Sequence, residues 1–248
     1  MKLEQVIAVR KNKKIYREGE NLVKLFNSDF SKSDVLNEAL NQARVETTDL
    51  KIPRIKEVHT IDGQWAIVSE FIEGKTLAQL MEENPDKYDE YLNLFVDLQL
   101  EVLSHSCPLL NKLKDKMHRK ISSTALETHI RFELHTRLDS MPTEDCICHG
   151  DFNPTNIIIT EAGEKYILDW AHVTQGNAAA DAARTYLIYC LAGRQNEGQQ
   201  YLDLFCKKSG ISIQRVQKWM PIVAASQTVK GKPEEMDLLL SWVDVVEY

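Results

Sequence analysis

The residues best suited by type and spacing to do chemistry lie in the segment His149-Gly-Asp-Phe-Asn-Pro-Thr-Asn156. Within it the carboxylate of Asp151 precedes the side-chain amide of Asn156 by five positions, and a second carboxylate, Asp169, follows thirteen positions later. Transfer of a γ-phosphoryl group needs a carboxylate beside the attacking hydroxyl and oxygen ligands for magnesium. The spacing therefore predicts a phosphoryl-transfer site in which Asp151 orients a hydroxyl and accepts its proton, while Asn156 and Asp169 bind the metal.

Strands around this segment are expected to bring the three side chains to one edge. Residues 146–148 form a short apolar run before it, and residues 156–160 and 165–169 flank a turn signal, Glu161-Ala-Gly163. A hairpin built from the last two runs would return Asp169 to the edge at which Asn156 lies. The cysteines of the first run lack the spacing of a zinc knuckle, so we interpret them as buried strand thiols.

The first third of the chain is predicted to be rich in β-strands. Apolar residues at helical spacing predict one helix there, at residues 33–45, which begins after Ser31 or Ser33. A turn signal at Asp62-Gly63 joins two of the strands. The predicted strands are residues 6–9, 21–26, 55–59 and 65–71.

The remainder of the chain is predicted to be mainly helical. Apolar residues recur at three- and four-residue spacing through most of it, and the hairpin after the catalytic segment is the exception. The predicted helices are residues 77–81, 88–103, 121–138, 182–192, 199–207 and 236–246.

The charge balance argues against a nucleic-acid partner. Lys and Arg total 30 against 37 Asp and Glu, and the net charge of -7 produces a field that repels phosphate backbones and anionic lipid surfaces. The N-terminal residues lack the apolar core of a signal peptide, and no apolar run has the length of a membrane span. Five cysteines, an odd number, suit a reducing compartment. We therefore expect a cytoplasmic protein that binds neither membrane nor nucleic acid.

The catalytic segment resembles that of the aminoglycoside phosphotransferase and choline kinase branch of the protein-kinase-like superfamily. Residues 148–159, Cys-His-Gly-Asp-Phe-Asn-Pro-Thr-Asn-Ile-Ile-Ile, match the catalytic loop and following strand, and Leu-Asp-Trp at 168–170 stands where protein kinases have Asp-Phe-Gly. Lys24 is similar to the strand lysine that contacts the α- and β-phosphates. Glu38 is similar to its partner on the helix, with Glu46 as the alternative.

The resemblance extends from residue 6 to residue 190 and implies roles for further residues. Residues 65–74 are similar to the last N-lobe strand and the hinge, so the backbone around Glu70 and Ile72 is expected to hydrogen-bond adenine. Asp181 is similar to an aspartate that supports the catalytic loop from the start of a helix. His149 is expected to pack behind the loop rather than to react.

The fold implied by the resemblance is α+β: a bilobal protein-kinase-like fold. A small β-rich N-lobe with one helix would comprise residues 1–72, and a larger, mainly α-helical C-lobe with the catalytic loop and acceptor site would comprise residues 73–248. The implied cofactors are ATP and Mg²⁺. The implied partner is a small molecule that carries an acceptor hydroxyl, and no oligomeric state is predicted.

Two segments depart from the family pattern. Residues 10–16, Arg-Lys-Asn-Lys-Lys-Ile-Tyr, contain no glycine where many kinases cover the phosphates with a Gly-rich loop. Their basic cluster either covers phosphates or forms a solvated strand turn. Residues 175–180, Gln-Gly-Asn-Ala-Ala-Ala, stand where an acidic residue and a proline are common, which could loosen the loop without removing a metal ligand.

Three functions are compatible with these residues. The resemblance favours a kinase that phosphorylates a hydroxyl of an aminoglycoside, amino alcohol, sugar or related metabolite. A protein kinase would need a longer activation segment than the twelve positions from Asp169 to Asp181. A nucleotide-binding regulator without catalysis is suggested by the missing glycines, but the intact Asp151, Asn156 and Asp169 argue against it.

Overall fold

The computed structural model of the chain describes residue 3 and residues 5–243. The chain divides into two compact units: the first contains residues 1–88 and 154–172, and the second contains residues 89–153 and 173–248. The first unit therefore includes the hairpin that follows the catalytic segment, although this hairpin comes late in the sequence. The lobe boundary after residue 72 stays a prediction.

Secondary structure covers most of the described residues. The strands are β1 (Gln5–Val9), β2 (Lys13–Glu18), β3 (Asn21–Phe26), β4 (Ile55–Ile61), β5 (Gln64–Glu70), β6 (Lys75–Thr76), β7 (Cys146–Cys148), β8 (Ile157–Ile159), β9 (Lys165–Ile167) and β10 (Thr174–Gly176). The helices are α1 (Lys32–Val45), α2 (Leu77–Glu83), α3 (Tyr88–Ser104), α4 (Leu113–Ser122), α5 (Thr128–Ser140), α6 (Ala178–Leu191), α7 (Gln195–Ser209), α8 (Ile213–Gln217), α9 (Met220–Thr228) and α10 (Pro233–Val243). Short 3₁₀ turns lie at Pro85–Lys87, Pro154–Asn156 and Trp170–His172.

Five strands form an antiparallel sheet in the first unit, in the order β1-β2-β3-β5-β4. All four strands predicted in the first third belong to it. The sheet contains an additional strand, β2, in the polar stretch between the first two predicted runs. Its largely polar sequence is a weak strand signal, but pairing with β1 on one side and β3 on the other satisfies its backbone groups.

Helix α1 covers one face of this sheet. Val35 and Ala39 of the helix form an apolar cluster with Phe26 of β3 and Ile67 of β5. Side chains two residues apart on a strand point to the same face, so Lys24 lies on the helix-covered face together with Phe26. The fold of the sheet thus places a lysine beneath the helix.

Local sequence signals account for the ends of these elements. Ser31 is the N-cap of α1, and its hydroxyl accepts a hydrogen bond from the Asp34 amide at 3.1 Å. Asp62 and Gly63 have φ angles of 49° and 80°, which are the left-handed values that a two-residue hairpin turn requires. Gly163, at φ 76°, turns the chain between β8 and β9.

The predicted hairpin at the catalytic segment forms within the first unit. β8 pairs antiparallel with β9 on one side and with the short strand β6 on the other. Gly74, just before β6, lies so close to β8 that a Cβ atom there would be 2.4 Å from the backbone oxygen of Ile159. Only glycine permits this approach of the two chain segments.

Helices dominate the second unit. The helix predicted at 121–138 is wrong as a continuous element, because α4 ends at Ser122 and α5 begins at Thr128. The side chains of Ser123 and Thr124 hydrogen-bond to the carbonyls of Arg119 and Ile121, and such bonds compete with continuation of a helix. Helices α8 and α9 and most of α4 were not predicted, and neither was strand β10, which pairs with β7.

The closing helix begins earlier than its apolar pattern suggested, at Pro233, a residue type favoured in the first helical turn. The last residues predicted for it, 244–246, lie outside the described residues. Among the described helices, none combines the length and the apolar character needed to cross a bilayer.

Candidate functional site

Lys24 and Glu38 form an ion pair between β3 and α1. The Lys24 Nζ lies 2.7 Å from Oε1 of Glu38, and both side chains are about nine-tenths buried. A second lysine, Lys13 of β2, donates to the same carboxylate at 2.9 Å and 3.1 Å. Glu38 therefore holds two cations on the helix-covered face of the sheet.

The charges of this cluster stabilise one another. Burial alone would lower the pKa of Lys24, but the carboxylates of Glu38 and Asp169 outweigh it and raise that pKa. Burial alone would raise the pKa of Glu38, but Lys24 and Lys13 outweigh it and lower that pKa. Lys24 and Glu38 are therefore both charged at neutral pH.

Asp169 belongs to the same group of charges. Its Oδ1 lies 3.9 Å from the Lys24 Nζ, and its side chain is 37% exposed. The residue has φ 60°, a left-handed conformation that costs a non-glycine residue on the order of 1 kcal/mol or more. Trp170 and Ala171 hold the strained segment, because the buried Trp170 indole donates to Ile167 and the Ala171 carbonyl accepts from Asn41 of α1. Backbone strain held in this way is typical of functional sites.

Asn156 lies at the other end of the hairpin from the turn. Its backbone carbonyl accepts a hydrogen bond from the amide of Leu168 at 2.8 Å, so it is adjacent to the residue that precedes Asp169. The hairpin thus places the backbone of Asn156 beside that of Leu168 within the first unit, and metal binding by Asn156 and Asp169 stays a prediction.

The donor set fits magnesium. A side-chain amide and one carboxylate supply the oxygen atoms that Mg²⁺ prefers, and Mg²⁺ is usually held by one or two carboxylates together with substrate phosphates. Among the described residues, no group of three or more His, Cys, Asp or Glu side chains is arranged to bind a metal ion. A metal here would therefore depend on Asn156 and Asp169 and on oxygen atoms of a phosphate ligand.

The predicted base, Asp151, lies in the second unit, in a loop shaped by its neighbours. Gly150 has φ 77°, which glycine adopts readily. His149 is fully buried, accepts the Asp151 amide at its Nδ1 and packs edge-on against the ring of Phe152. His149 is thus enclosed by protein, while the Asp151 side chain is 31% exposed.

Asp181 and Arg184 of α6 hold the backbone of this loop. Asp181 accepts the Gly150 amide at 2.8 Å, and Arg184 Nε donates to the Gly150 carbonyl at 3.2 Å. Burial raises the pKa of Asp181, and the Gly150 amide opposes that effect. The backbone amide and carbonyl of Gly150, the residue before Asp151, are therefore both hydrogen-bonded to side chains of α6.

A buried polar network extends this support. The amide nitrogen of Gln99 in α3 donates to Asp181 at 3.1 Å and to Thr185 at 3.2 Å, and its oxygen accepts from the Tyr201 hydroxyl at 2.7 Å. The Thr185 hydroxyl donates to the carbonyl of Phe152. Three helices, α3, α6 and α7, are joined to the loop in this way.

The sequence as a whole matches one family model. The model of the phosphotransferase enzyme family matches residues 10–219, which is most of the chain. The chain belongs to the phosphotransferase enzyme family. The family membership confirms the predicted enzyme class, a kinase-type phosphotransferase. No curated protein has a significantly similar sequence.

Solved structures of kinases share the fold. The aminoglycoside phosphotransferase APH(4)-Ia is 13% identical, with a TM-score of 0.71 over 97% of this chain and 91% of that one. The choline kinase LicA from Streptococcus pneumoniae is 12% identical, with a TM-score of 0.65 over 99% and 94%. APH(3'')-Id from Streptomyces rimosus is 16% identical, with a TM-score of 0.62 over 88% and 91%. The expected α+β, protein-kinase-like fold is confirmed.

The segment that resembles the hinge of phosphotransferase-family proteins lies at the end of β5. The Glu70 amide donates to the carbonyl of Arg54, and the Phe71 amide donates to the carbonyl of Glu20, so both bonds go to neighbouring strands or loops. Within the described part of the chain, no hydrogen bond involves the backbone of Ile72. This arrangement is compatible with the adenine contact predicted for Ile72, which stays a prediction.

Two residues of this candidate site were missed from the sequence. From the sequence, Lys13 was interpreted only as part of a basic cluster. In the sheet Lys13 pairs with Phe26, which places it diagonal to Lys24 on the same face. The alternation of side chains along β2 could have indicated this face, but only once the pairing of β2 with β3 was known. Gln99 carried no local signal, because its partners are 82 and more positions away. The alternative partner, Glu46, instead accepts the Ile55 amide at 2.6 Å.

The segment that departs from the family pattern, residues 175–180, is well bonded within the second unit. The Gln175 amide donates to the carbonyl of Asn111, and its side chain accepts from Lys112 Nζ at 2.7 Å. Asn177 is the N-cap of α6. The loosening suggested by the sequence is therefore opposed by local hydrogen bonds.

Proposed function

We propose that this phosphotransferase moves the γ-phosphoryl group of ATP, with magnesium, to a hydroxyl group of a small molecule such as an aminoglycoside, amino alcohol, sugar or related metabolite. One observation carries the proposal most: the Lys24 amino group is paired with Glu38 and lies 3.9 Å from the carboxylate of Asp169. A phosphate-binding cation then lies beside a metal-binding carboxylate, as phosphoryl transfer requires.

Each residue has a chemical task in this proposal. Lys24, oriented by Glu38, binds phosphate oxygens of the nucleotide, and the backbone at Glu70 and Ile72 binds adenine. Asn156 and Asp169 hold magnesium, which when bound neutralises charge on the phosphates. A thermostable mutant of the structural neighbour APH(4)-Ia forms a ternary complex with AMP-PNP and hygromycin B, which supports a nucleotide donor and a small acceptor.

Asp151 acts on the acceptor. Its carboxylate orients the acceptor hydroxyl and accepts the proton as the bond from the acceptor oxygen to the γ-phosphorus forms and the bond from that phosphorus to ADP breaks. His149 and Asp181 keep the loop in place without touching the reacting atoms. Hydrogen bonds to Gly150 from α6 reduce the freedom of Asp151, so the base is positioned before the acceptor binds.

A small acceptor is favoured over a protein. Helix α6 begins at Ala178, so eight residues, 170–177, separate it from Asp169. Three of them form strand β10, which is paired with β7. This leaves little chain for a peptide-binding platform or a phosphorylation switch.

A cytoplasmic location fits the proposed donor, ATP. The five cysteines are free thiols, as expected in a reducing compartment. The net charge of -7 disfavours nucleic acid as a partner.

Release of ADP in the presence of Mg-ATP and a panel of hydroxyl-bearing metabolites and aminoglycosides tests the proposal. We expect Asp151→Asn to lower kcat by roughly 10²- to 10⁴-fold, because it removes the proton acceptor and preserves the size of the side chain. The thermal shift that Mg-ATP produces should be retained in the variant, since the predicted nucleotide-binding residues are unchanged.

Three results would contradict the proposal. Undiminished turnover by Asp151→Asn would show that another group is the base. The absence of any thermal shift with Mg-ATP would remove the nucleotide-binding role altogether. Phosphate transfer to peptides but to no metabolite would support the protein kinase alternative instead.

A further inference from the structure

Basic side chains from several elements of the second unit lie around Arg184, which itself contacts Asp151. Lys116 and Lys120 are four residues apart on α4, so they share one face of that helix. Arg184 comes from α6, and Lys230 comes from the segment between α9 and α10. Helices α4, α6 and α10 all pack against α9, and Lys116, Lys120 and Lys230 are each close enough to Arg184 to feel its charge. We call Lys116, Lys120, Arg184 and Lys230 the cation cluster.

Arg184 links the cation cluster to the catalytic loop. Its Nη2 lies 3.9 Å from Oδ1 of Asp151, and its Nε is bound to the Gly150 carbonyl. Its third nitrogen, Nη1, is buried and has no hydrogen-bond partner among the described residues. Buried donors are nearly always paired in folded proteins, so this N–H group is available to an acceptor atom from a ligand.

The members of the cation cluster repel one another. Burial, with repulsion from Lys120 and Arg184, lowers the pKa of Lys116 to about 7. Burial, with repulsion from Arg184 and Lys230, lowers the pKa of Lys120 to about 8. The chain as a whole is acidic, so this local concentration of positive charge is held against its own repulsion.

Asp151 faces Arg184 at 3.9 Å and also attracts Lys230, but ion pairs with carboxylates do not cover every member of the cation cluster. Glu235 is already bound to Lys232 at 2.6 Å, and Asp181 is buried against the backbone of the catalytic loop. Across residues 5–243, no ion pair joins Lys120 or Lys230 to a carboxylate. The region beside Asp151 is therefore suited to an anion.

We propose that the cation cluster binds an anionic group, a carboxylate or a phosphate, on the acceptor whose hydroxyl Asp151 activates. This inference rests on the proposed phosphotransferase function and narrows its acceptors to anionic molecules, so that cationic aminoglycosides and amino alcohols no longer fit. An acceptor held by its anionic group would have its hydroxyl confined near Asp151, which lowers the entropic barrier to reaction. A cationic acceptor would instead be repelled.

The phosphates of the nucleotide are the other possible source of negative charge. The side chains predicted to bind them, Lys24 and Asp169, belong to the first unit, whereas the cation cluster and Asp151 belong to the second. The experiment therefore begins with the nucleotide site saturated by Mg·AMP-PNP. Glycerol 3-phosphate and glycerate are the anionic probes, glycerol is the neutral probe and ethanolamine is the cationic probe.

The anionic probes should raise Tm beyond the effect of Mg·AMP-PNP, while glycerol and ethanolamine should not. With Mg-ATP in place of the analogue, at least one anionic probe should support ADP release with a kcat/KM roughly tenfold or more above that of glycerol. Glycerol, glycerate and glycerol 3-phosphate share a three-carbon skeleton with free hydroxyl groups, so they form the matched set, and ethanolamine adds a small cationic alcohol.

Variants that remove single charges test the cluster itself. Lys120→Gln and Lys230→Gln should each raise the KM of the anionic probe roughly tenfold, with a smaller effect on kcat. Lys207→Gln makes the same charge change at an exposed position on α7 and should leave that KM unchanged. Without ligand, the Tm of Lys120→Gln should equal or exceed that of the native chain, because repulsion is relieved.

The outcomes separate this inference from the proposed function. Failure of Mg-ATP to shift Tm, with no ADP release from any probe, would refute the phosphotransferase function and the inference with it. A normal Mg-ATP shift with no response to anionic probes, or with equal effects of Lys120→Gln and Lys207→Gln, would overturn the inference alone. Loss of the Mg-ATP shift in Lys120→Gln would assign the cations to the nucleotide and would also overturn it.

Discussion

At the scale of single residues, Glu38 affects both the stability of the first unit and the position of Lys24. Its carboxylate lies between Lys13 and Lys24, and all three side chains are at least four-fifths buried. Removing one partner of such a group leaves charge in a low-dielectric environment without compensation, which costs more than an exposed ion pair contributes. The same carboxylate therefore serves both the stability of the first unit and the position of Lys24, the lysine proposed to bind phosphate.

We expect Glu38→Gln to lower the free energy of unfolding by about 3 kcal/mol at neutral pH and to weaken nucleotide binding. Folding lowers the pKa of Glu38, so its contribution is present above its unfolded value of 4.5 and is lost as pH falls through the lower folded value. The difference between the native chain and Glu38→Gln should therefore shrink below pH 4.5. Urea unfolding at a series of pH values measures it.

Glu83→Gln is the matched control for that experiment. Glu83 pairs with Lys75 at 2.6 Å, but both side chains are about half exposed. Its loss should change the unfolding free energy by less than about 1 kcal/mol. Equal losses for the two variants would show that burial does not strengthen the Glu38 cluster.

At the scale of elements, the catalytic loop depends on three helices that do not themselves carry the predicted base. Gln99 of α3 joins Asp181 and Thr185 of α6 to Tyr201 of α7, and it is completely buried. A buried network of this kind is stabilising only while each member has a partner. The hydrogen bonds that hold the loop are thus buried, so water cannot replace one that is lost.

We expect Tyr201→Phe to lower the free energy of unfolding by roughly 1–3 kcal/mol, because the Gln99 oxygen would lose its partner without access to water. A smaller kcat with little change in the KM for ATP would show that the loop has lost its position. Chemical denaturation and steady-state kinetics measure the two effects.

Tyr91→Phe, on the same helix as Gln99, is the control for that variant. Tyr91 is half-buried, and its hydroxyl has no hydrogen-bond partner among the described residues. Its replacement should leave stability within about 0.5 kcal/mol of the native value. If Tyr91→Phe lowered the free energy of unfolding as much as Tyr201→Phe does, the hydrogen bond from Tyr201 to Gln99 would add no stability of its own.

At the scale of the whole molecule, the proposed ligands should stabilise the folded chain. A ligand at a hundredfold excess over its Kd contributes about 2.7 kcal/mol, which corresponds to roughly 5–10 °C in Tm for a chain of this size. We expect Mg-ATP to produce such a shift and Asp169→Asn to remove the part that depends on magnesium. Differential scanning fluorimetry with ATP, with and without magnesium, measures it.

Asp62→Asn is the control for the magnesium experiment. Asp62 is the other described non-glycine residue with a positive φ angle, but it lies in the turn between β4 and β5. Asp62→Asn makes the same change of charge as Asp169→Asn, but it should leave the magnesium-dependent shift in Tm unchanged. A persistent magnesium effect in Asp169→Asn would show that Asp169 is not required for metal binding.

The sequence alone determined much of the chemistry and the local structure. The order of Asp151, Asn156 and Asp169 predicted phosphoryl transfer, and the family match confirms a phosphotransferase. Caps and turns such as Ser31 and Asp62-Gly63 were readable because they act over three or four residues. Strands and helices with a clear apolar period were found for the same reason.

Only the tertiary structure decided which distant residues share a partner. Lys13 joins Glu38 across 25 positions, and Gln99 meets Asp181 across 82. The cation cluster likewise joins residues from α4, α6 and the segment after α9. Such contacts arise from strand register and helix packing, which place side chains by burial and shape and leave no pattern in neighbouring letters. The type of reaction could therefore be predicted from the sequence. The residues that hold the loop around Asp151, and the positive charge beside it, could be identified only from the tertiary structure.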